Sequence, residues 1–148
     1  MAHTVTLRLE NNASVIEVEA GSSLMDVLQK AEFDKPYPIL VARVNNRFKG
    51  LGYQVYKPVT VEFLDMRHFE GYRVYQRTLS FVLQKASLEV YPDRKLRIRH
   101  TLGNGFYAEY DDHKSLSVEE VSLLKLRMED IVARNIPISR KKCLAEDV

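Results

Sequence analysis

Alternation of apolar and polar residues dominates the first part of the chain, with one helical interval inside it. Residues 4–9 read TVTLRL and residues 15–19 read VIEVE, so each segment places its apolar side chains on one strand face. Next come apolar residues at the spacing of one helix face: Leu24, Val27, Leu28 and Ala31. Ser23, followed three residues later by Asp26, is typical of a helix N-terminus. The pattern predicts a hairpin followed by a short amphipathic helix.

Three more strands are predicted after this helix. Residues 39–44 read ILVARV, a β-branched apolar run, and Asn45 and Asn46 then supply turn chemistry before a short strand at residues 47–49. Residues 59–64, VTVEFL, form the last strand of this part. The resulting order, β-β-α-β-β-β, is typical of a β-grasp (ubiquitin-like) fold, in which one mixed sheet wraps a single helix.

The second half has a different pattern. Residues 70–90 carry a helical apolar stripe that ends before Pro92, and residues 95–102 then alternate as a strand. The sequence GNG connects this strand to FYAEY, which predicts a second hairpin. Ser117 and Glu120 form a capping box for a third helix. We therefore expect an α+β chain with a β-grasp domain at residues 1–66 and a small helix–hairpin–helix domain at residues 67–148.

Composition narrows the class of protein. The 148 residues include 22 Lys and Arg against 20 Asp and Glu, a net charge of +2, so any basic partner surface has to be local. The single cysteine, Cys143, excludes a disulfide framework within the chain and favours a cytoplasmic location. We expect no membrane association, because no apolar run approaches the roughly 20 residues of a spanning helix.

Motifs for catalysis and for metal binding are missing from the sequence. No Gly-x-x-x-x-Gly-Lys-Ser/Thr occurs, and GNG lacks the helix that a dinucleotide site requires. A hairpin turn explains Asn104 and Gly105. His100 lies on the apolar face of its strand, which predicts a hydrogen-bonded position in the core. No two histidines stand four residues apart, and Cys143 has no oriented base beside it. We expect no catalytic residue and no metal ligand.

Positively charged side chains are the strongest candidates for a binding surface. They lie one turn apart on the long helix and along one face of the following strand: Arg73, Arg77, Lys95, Arg97 and Arg99. If the helix packs against the hairpin, these five side chains converge on a surface suited to phosphate, of a nucleotide or of RNA. The alternative is a solvated strand face, partly neutralised by Glu109 across the hairpin.

Two stretches carry a resemblance to known domains. The sequences VTLRLENNASVIEVEAGSSLMDVLQKA, PILVARVNNRFKGLGYQV and VTVEFLDM resemble the TGS domain at the N-terminus of threonyl-tRNA synthetase. LEVYPDRKLRIRHTLGNGFYAEY and SVEEVSLLKLRMEDIVARNIPISRKKC resemble the editing domain that follows it. That family has a His-x-x-x-His pair on the long helix, where this chain has Arg77 and Phe81. The resemblance thus implies that hydrolysis of misacylated tRNA is not expected.

With this departure, YQRTLSFVLQKA and LRIRHTLGNGFY most resemble the same two domains at the front of bacterial uridine kinase family proteins. This resemblance implies an N-terminal fragment with a regulatory or ligand-binding role toward a kinase domain in cis, itself absent from the chain. It implies no cofactor here, with ATP and Mg²⁺ expected only for that kinase domain, and a nucleotide or nucleoside as ligand. The candidate ligand-binding residues are Arg73, Arg77, Lys95, Arg97, Arg99, His100, Asn104 and Tyr107.

Two alternatives remain open. By analogy with the synthetase, the chain is an RNA- or tRNA-binding module whose binding weakens steeply with salt. The other alternative is a region that only docks subunits or the kinase domain.

Overall fold

The computed structural model describes residues 3–103 and 105–139, which form a mixed α+β structure. In chain order the elements are β1 (Thr4–Leu9), β2 (Val15–Glu19), β3 (Ser22–Ser23), α1 (Leu24–Lys30), β4 (Val41–Val44), β5 (Arg47–Lys49), β6 (Gln54–Val55), β7 (Val59–Leu64), α2 (Phe69–Val90), β8 (Leu96–Leu102), β9 (Gly105–Tyr110) and α3 (Val118–Ala133). The predicted α+β class is confirmed. None of the helices in the described ranges is long and apolar enough to cross a bilayer.

The chain divides into two compact units, Met1–Thr78 and Leu79–Val148, so the division falls within α2. The sequence placed a domain boundary earlier, between residues 66 and 67. A division by contacts does not test independent folding, so that boundary stays a prediction.

The first unit is built on a five-stranded sheet with the order β2-β1-β7-β4-β5. β1 and β7 run parallel, and the other neighbours pair antiparallel. Alternation in β1 buries Val5, Leu7 and Leu9 and leaves the residues between them exposed, as the sequence pattern predicts. Leu24 and Val27 of α1 belong to the same buried cluster. One sheet face and one helix face therefore supply the core of this unit.

Local chemistry fixes the ends of these elements. Ser23 and Asp26 form the predicted capping box, with the Ser23 backbone N–H donating to Asp26 Oδ2 at 2.9 Å. Asn45 and Asn46 both adopt positive φ, which matches the right-handed twist of the β4–β5 hairpin. The Asn45 side chain also accepts a hydrogen bond from the Thr60 N–H at 2.9 Å. Two predictions need correction: β4 begins at Val41 rather than at residue 39, and the two-residue strands β3 and β6 were not foreseen.

A close backbone contact sets the start of α2. Gly71 is buried, and a Cβ atom at this position would collide with the carbonyl oxygen of Asp65. The Asp65 side chain is buried and accepts from Arg67, with 2.7 Å between Arg67 Nη2 and Asp65 Oδ2. This hydrogen bond, stronger than the desolvation that opposes it, holds the pKa of Asp65 below its ordinary value. The turn between β7 and α2 is thus fixed by a glycine and a buried carboxylate.

In the second unit, the end of α2, the β8–β9 hairpin and α3 surround a small core. Its buried apolar residues are Ala86, Leu96, Tyr110, Leu124 and Ile131. Ser87 and Tyr110 are each only 1% exposed, and their hydroxyls hydrogen-bond at 2.8 Å. Ser117 and Glu120 form the predicted capping box of α3. The helix ends at Ala133, and Asn135 then has a φ of 47°.

The strict alternation expected along residues 95–102 is broken in the structure. Ile98 pairs with Ala108 and His100 with Tyr107, so Arg99 is an extra residue in β8 and forms a β-bulge. Because one inserted residue reverses the face of every residue after it, His100 points away from the core and is exposed. The predicted core position for His100 is therefore wrong.

Candidate functional site

The exposed side of the β8–β9 hairpin carries a stacked pair of rings. His100 and Tyr107 are directly opposite across the hairpin, with ring centroids 5.2 Å apart and planes inclined by 25°. Tyr107 and its neighbour Phe106 are each 43% exposed. The bulge at Arg99 brings this stack to the surface, so the hairpin offers flat π faces beside arginines.

Two of those arginines are already paired with carboxylates. Arg97 bonds Asp111, with 3.1 Å between Arg97 Nη2 and Asp111 Oδ2, and Arg99 Nε donates to Glu109 at 2.7 Å. Glu109 also accepts from the Tyr107 hydroxyl at 3.2 Å. The arginine hydrogen bonds are the main cause that lowers the pKa of both carboxyl groups. The strand face is thus more nearly neutral than its row of cations predicts.

The remaining predicted site residues are distributed along the chain. Arg73 lies in the first unit, 3.5 Å from Glu70 as an ion pair and 5.6 Å from the Phe69 ring centroid. Arg77 is exposed in the same unit, and Lys95 is exposed in the second. The convergence of helix and strand cations therefore stays a prediction. Asn104, the proposed turn residue, lies outside the described residues.

A cleft of about 470 Å³ lies in the second unit, along β9 and beside α3. Its apolar lining comes from α2, the hairpin and α3 and includes Leu83, Leu96, Leu116, Val121, Leu124 and Met128. Its polar lining includes Tyr107, Glu109, His113, Lys114 and Lys125. Of these residues the sequence pointed only to Tyr107 as a ligand-binding residue.

Arg94 fastens the loop that forms one wall of this cleft. Arg94 Nε lies 2.9 Å from Asp112, and the guanidinium also donates to the Lys114 carbonyl oxygen at 3.4 Å. The same guanidinium lies 4.1 Å from the ring centroid of Tyr110. Hydrogen bonding to Arg94 is the main cause that lowers the pKa of Asp112. The sequence patterns did not indicate Arg94. It stands two residues after Pro92 and just before β8, a position from which a long side chain can reach the loop after β9.

Nothing in the described part of the chain groups three or more metal-ligating side chains around one point. Phe81, at one of the two positions compared with the histidine pair, is 66% exposed. The described residues form two candidate binding surfaces: an aromatic and cationic hairpin face, and an apolar cleft with a polar rim.

No family model matches the sequence. The chain is 30% identical over 129 residues to the threonine–tRNA ligase of Clostridium kluyveri, an alignment that covers 87% of this chain and 20% of that protein. For the threonine–tRNA ligase of Natranaerobius thermophilus the identity is 30% over 130 residues, with 88% and 20% covered. For that of Rubrobacter xylanophilus it is 28% over 142 residues, with 96% and 22% covered.

The chain is homologous to a region of threonyl-tRNA synthetases. It spans about a fifth of the length of the curated relatives it matches. The predicted resemblance to threonyl-tRNA synthetase is confirmed at this level, over most of the chain.

The predicted uridine kinase affiliation is wrong. The relatives that the sequence matches are threonine–tRNA ligases and not uridine kinases, so a kinase function, ATP binding and a kinase domain in cis have no support. ATP and Mg²⁺ were expected only for that kinase domain, and no residue of this chain tests them. The sequence patterns favoured the uridine kinase family over the synthetase because Arg77 and Phe81 stand in place of the histidine pair. That departure does not identify another parent family.

Proposed function

We propose that this chain is an RNA-binding region, with tRNA as the class of RNA, related to the N-terminal part of threonyl-tRNA synthetases. The observation that carries the proposal is the similarity to threonine–tRNA ligases along 87% or more of the chain. This proposal includes the cytoplasmic location that the single cysteine favours. It replaces a kinase-linked role.

The fold supports the same relationship at a finer level. The mixed sheet with α1 against its buried face fits a β-grasp domain of the TGS type. The helix, hairpin and helix of the second unit fit a counterpart of the synthetase editing domain. In this counterpart Arg77 and Phe81 replace the histidine pair, so we expect RNA binding without hydrolysis of misacylated tRNA.

We assign the RNA contact to the exposed side of the β8–β9 hairpin. Unpaired bases stack on exposed aromatic rings, and the His100–Tyr107 pair presents such rings beside arginines. Phosphate binds guanidinium groups through charge-assisted hydrogen bonds, which Arg97 and Arg99 can donate. The hairpin therefore combines a stacking surface with cations for the backbone.

The carboxylates on the hairpin set the strength of this contact. A phosphate competes with Asp111 for Arg97 and with Glu109 for Arg99. Exposed ion pairs are worth about 0–1 kcal/mol, so a phosphate can displace them at small cost. The sequence alone predicts a steep salt dependence. Because Asp111 and Glu109 already pair with the two arginines, we expect instead weak binding with a shallow salt dependence in the wild-type chain, and tighter, steeper binding when the carboxylates are neutralised.

The test is fluorescence anisotropy with labelled tRNA at about 50 and 200 mM KCl. Glu109→Gln and Asp111→Asn are expected to tighten binding and to add about 0.7–0.9 to the salt slope for each arginine released. Tyr107→Ala is expected to cost about 1–3 kcal/mol of binding free energy at either salt concentration.

The matched control is Lys57→Gln, which removes one exposed charge from the first unit. Its counterpart on the hairpin is Arg97→Gln, which we expect to weaken binding because it removes a phosphate donor. If Lys57→Gln weakens binding as much as Arg97→Gln, RNA follows the overall charge and the hairpin assignment is refuted. If no variant and no salt concentration gives measurable binding to tRNA, the RNA-binding function itself is refuted.

A further inference from the structure

We propose that the cleft between β9 and α3 binds a small molecule with a flat apolar body and a single anionic head group. The site lies wholly within the second unit. It shares Tyr107 and Glu109 with the hairpin surface proposed for RNA, whereas its apolar lining and its two lysines play no part in the proposed RNA contact. The proposal depends on the lining of the cleft, on its unpaired charges and on the exposed edge of β9.

The lining selects an apolar body. Side chains from four different parts of the unit converge on the cleft: Leu83 from α2, Leu96 from β8, Leu116 from the loop and Met128 from α3. A volume of about 470 Å³ falls in the range of pockets that enclose small organic ligands, which are lined in the same way. Burying a ring system there removes apolar surface of both partners from water, at roughly 25 cal/mol per Å².

The charges at the rim select an anion. Within residues 3–103 and 105–139, neither Lys114 nor Lys125 forms an ion pair with a carboxylate. The one carboxylate that lines the cleft, Glu109, is already bonded to Arg99 at 2.7 Å. Asp112 interacts electrostatically with Lys114, but its carboxylate is already bonded to Arg94 at 2.9 Å. The rim therefore keeps a net positive charge beside an apolar lining. An anionic head group between the two lysines completes this arrangement.

The edge of β9 supplies fixed polar groups. Four consecutive residues, 107–110, line the cleft, and consecutive strand residues point to opposite faces, so the strand edge itself borders the cavity. Among the described strands only β8 pairs with β9, so the other edge of β9 carries backbone groups outside the sheet. The Tyr110 carbonyl oxygen already accepts from the His113 N–H, so we infer that residues 107–109 supply the groups for a ligand. These groups can orient a substituent of the ligand.

The cleft is largely formed before any ligand arrives. Arg94 holds the loop that carries Lys114, through Asp112 and the Lys114 carbonyl oxygen. Arg127 of α3 also pairs with Glu89 of α2 at 2.5 Å, which fixes the two helices against each other. Little ordering remains to be done on binding, and that favours affinity for a small ligand.

Methionine methyl groups give a direct test. The four methionines are Met1, Met25, Met66 and Met128. Among the three that fall in the described residues, only Met128 lines the cleft. The full chain, labelled with ¹³C in the methionine ε-methyl groups, is titrated with 1-naphthyl phosphate and with 1-naphthoate. We expect a saturable shift of the Met128 signal, while the Met25 and Met66 signals of the first unit stay unchanged. An unchanged Met128 signal with both probes overturns the proposal.

Matched ligands and variants isolate the head group. The neutral analogue 1-naphthol has the same ring system, and we expect it to bind at least about tenfold more weakly than the two anions. Lys114→Gln and Lys125→Gln should remove that difference, whereas Lys57→Gln in the first unit should keep it. Equal affinity for 1-naphthol and the anions, or retention of the difference in both cleft variants, overturns the assigned chemistry. Both cleft lysines are exposed, so their substitution should not disturb the core. Each variant is verified as folded when its methionine methyl signals, recorded without ligand, match those of the wild-type chain.

The three naphthyl probes carry no RNA backbone, so this result is separate from the tRNA titration. A chain that binds tRNA but leaves Met128 unaffected keeps the proposed function and loses this site. The converse result keeps the site and removes the RNA function.

Discussion

The buried hydrogen bond between Ser87 and Tyr110 gives the most direct test of what stabilises the second unit. Both side chains are 1% exposed, and their hydroxyl oxygens are 2.8 Å apart. Ser87→Ala leaves the Tyr110 hydroxyl buried without this partner, which costs about 2 kcal/mol within the usual range of 1–3. Tyr110→Phe keeps the ring that stacks edge-on against Tyr91 and under Arg94, and costs about 1 kcal/mol.

The double variant decides between a specific hydrogen bond and simple packing. When both hydroxyls are gone, no buried donor is left unsatisfied, so we expect a total cost of about 1 kcal/mol and a coupling energy of about −2 kcal/mol. Urea unfolding is followed through the Met128 methyl signal, which reports on the second unit alone. Serine-to-alanine changes in a helix also add about 0.5 kcal/mol of helix propensity. Ser122→Ala, an exposed helical serine on α3, corrects for this gain.

Additive single and double variants would refute this reasoning. Additivity within about 0.3–0.5 kcal/mol means that the two hydroxyls do not depend on each other, and the hydrogen bond then contributes nothing specific to the hairpin. If the double variant loses more stability than the two single variants added together, the apolar pair packs badly.

Other changes have outcomes that the structure also fixes. Gly71→Ala places a Cβ against the Asp65 carbonyl oxygen and should lower thermal stability by about 1–3 kcal/mol despite better helix propensity, whereas Gly52→Ala, with open space around it, should have little effect. Ser117→Ala removes the cap of α3 and should cost about 0.5–2 kcal/mol in urea unfolding, while Ser117→Asp should restore most of it. Glu109 has a pKa below its ordinary value of 4.5 in the folded state, so its contribution to stability is complete above that pH and is lost as the pH falls through the folded pKa. Thermal melts from neutral to acidic pH should show this loss, and Glu109→Gln should flatten the profile.

Much of the first unit was predictable because its signals are local. The alternation in β1, the capping box at Ser23 and Asp26, and the Asn45-Asn46 turn each follow from a few neighbouring residues, and the structure confirms all three. The strands β3 and β6 were missed because two residues cannot show a period. Their pairing depends on residues far apart in sequence, Ser22 with Val55 and Ser23 with Gln54.

The site was less predictable, because its features depend on register and on tertiary contacts. The exposed position of His100 results from the bulge at Arg99, and a strictly alternating sequence carries no sign of an extra residue. Glu109 was considered as a partner for the cations, but Asp111, which pairs with Arg97, was not. The cleft brings Leu83 and Lys125 together from two helices, a meeting that no sequence spacing indicates.

The bulge at Arg99 separates two kinds of constraint along one hairpin. Before it, Leu96 and Tyr110 are paired and buried, so substitutions at these two positions destabilise the unit. After it, residues 100–103, 105 and 106 are exposed, so the core does not constrain which side chains they carry. Variation among related chains should therefore concentrate beyond the bulge, and the hairpin tip is the natural place to graft a new recognition sequence without refolding the unit.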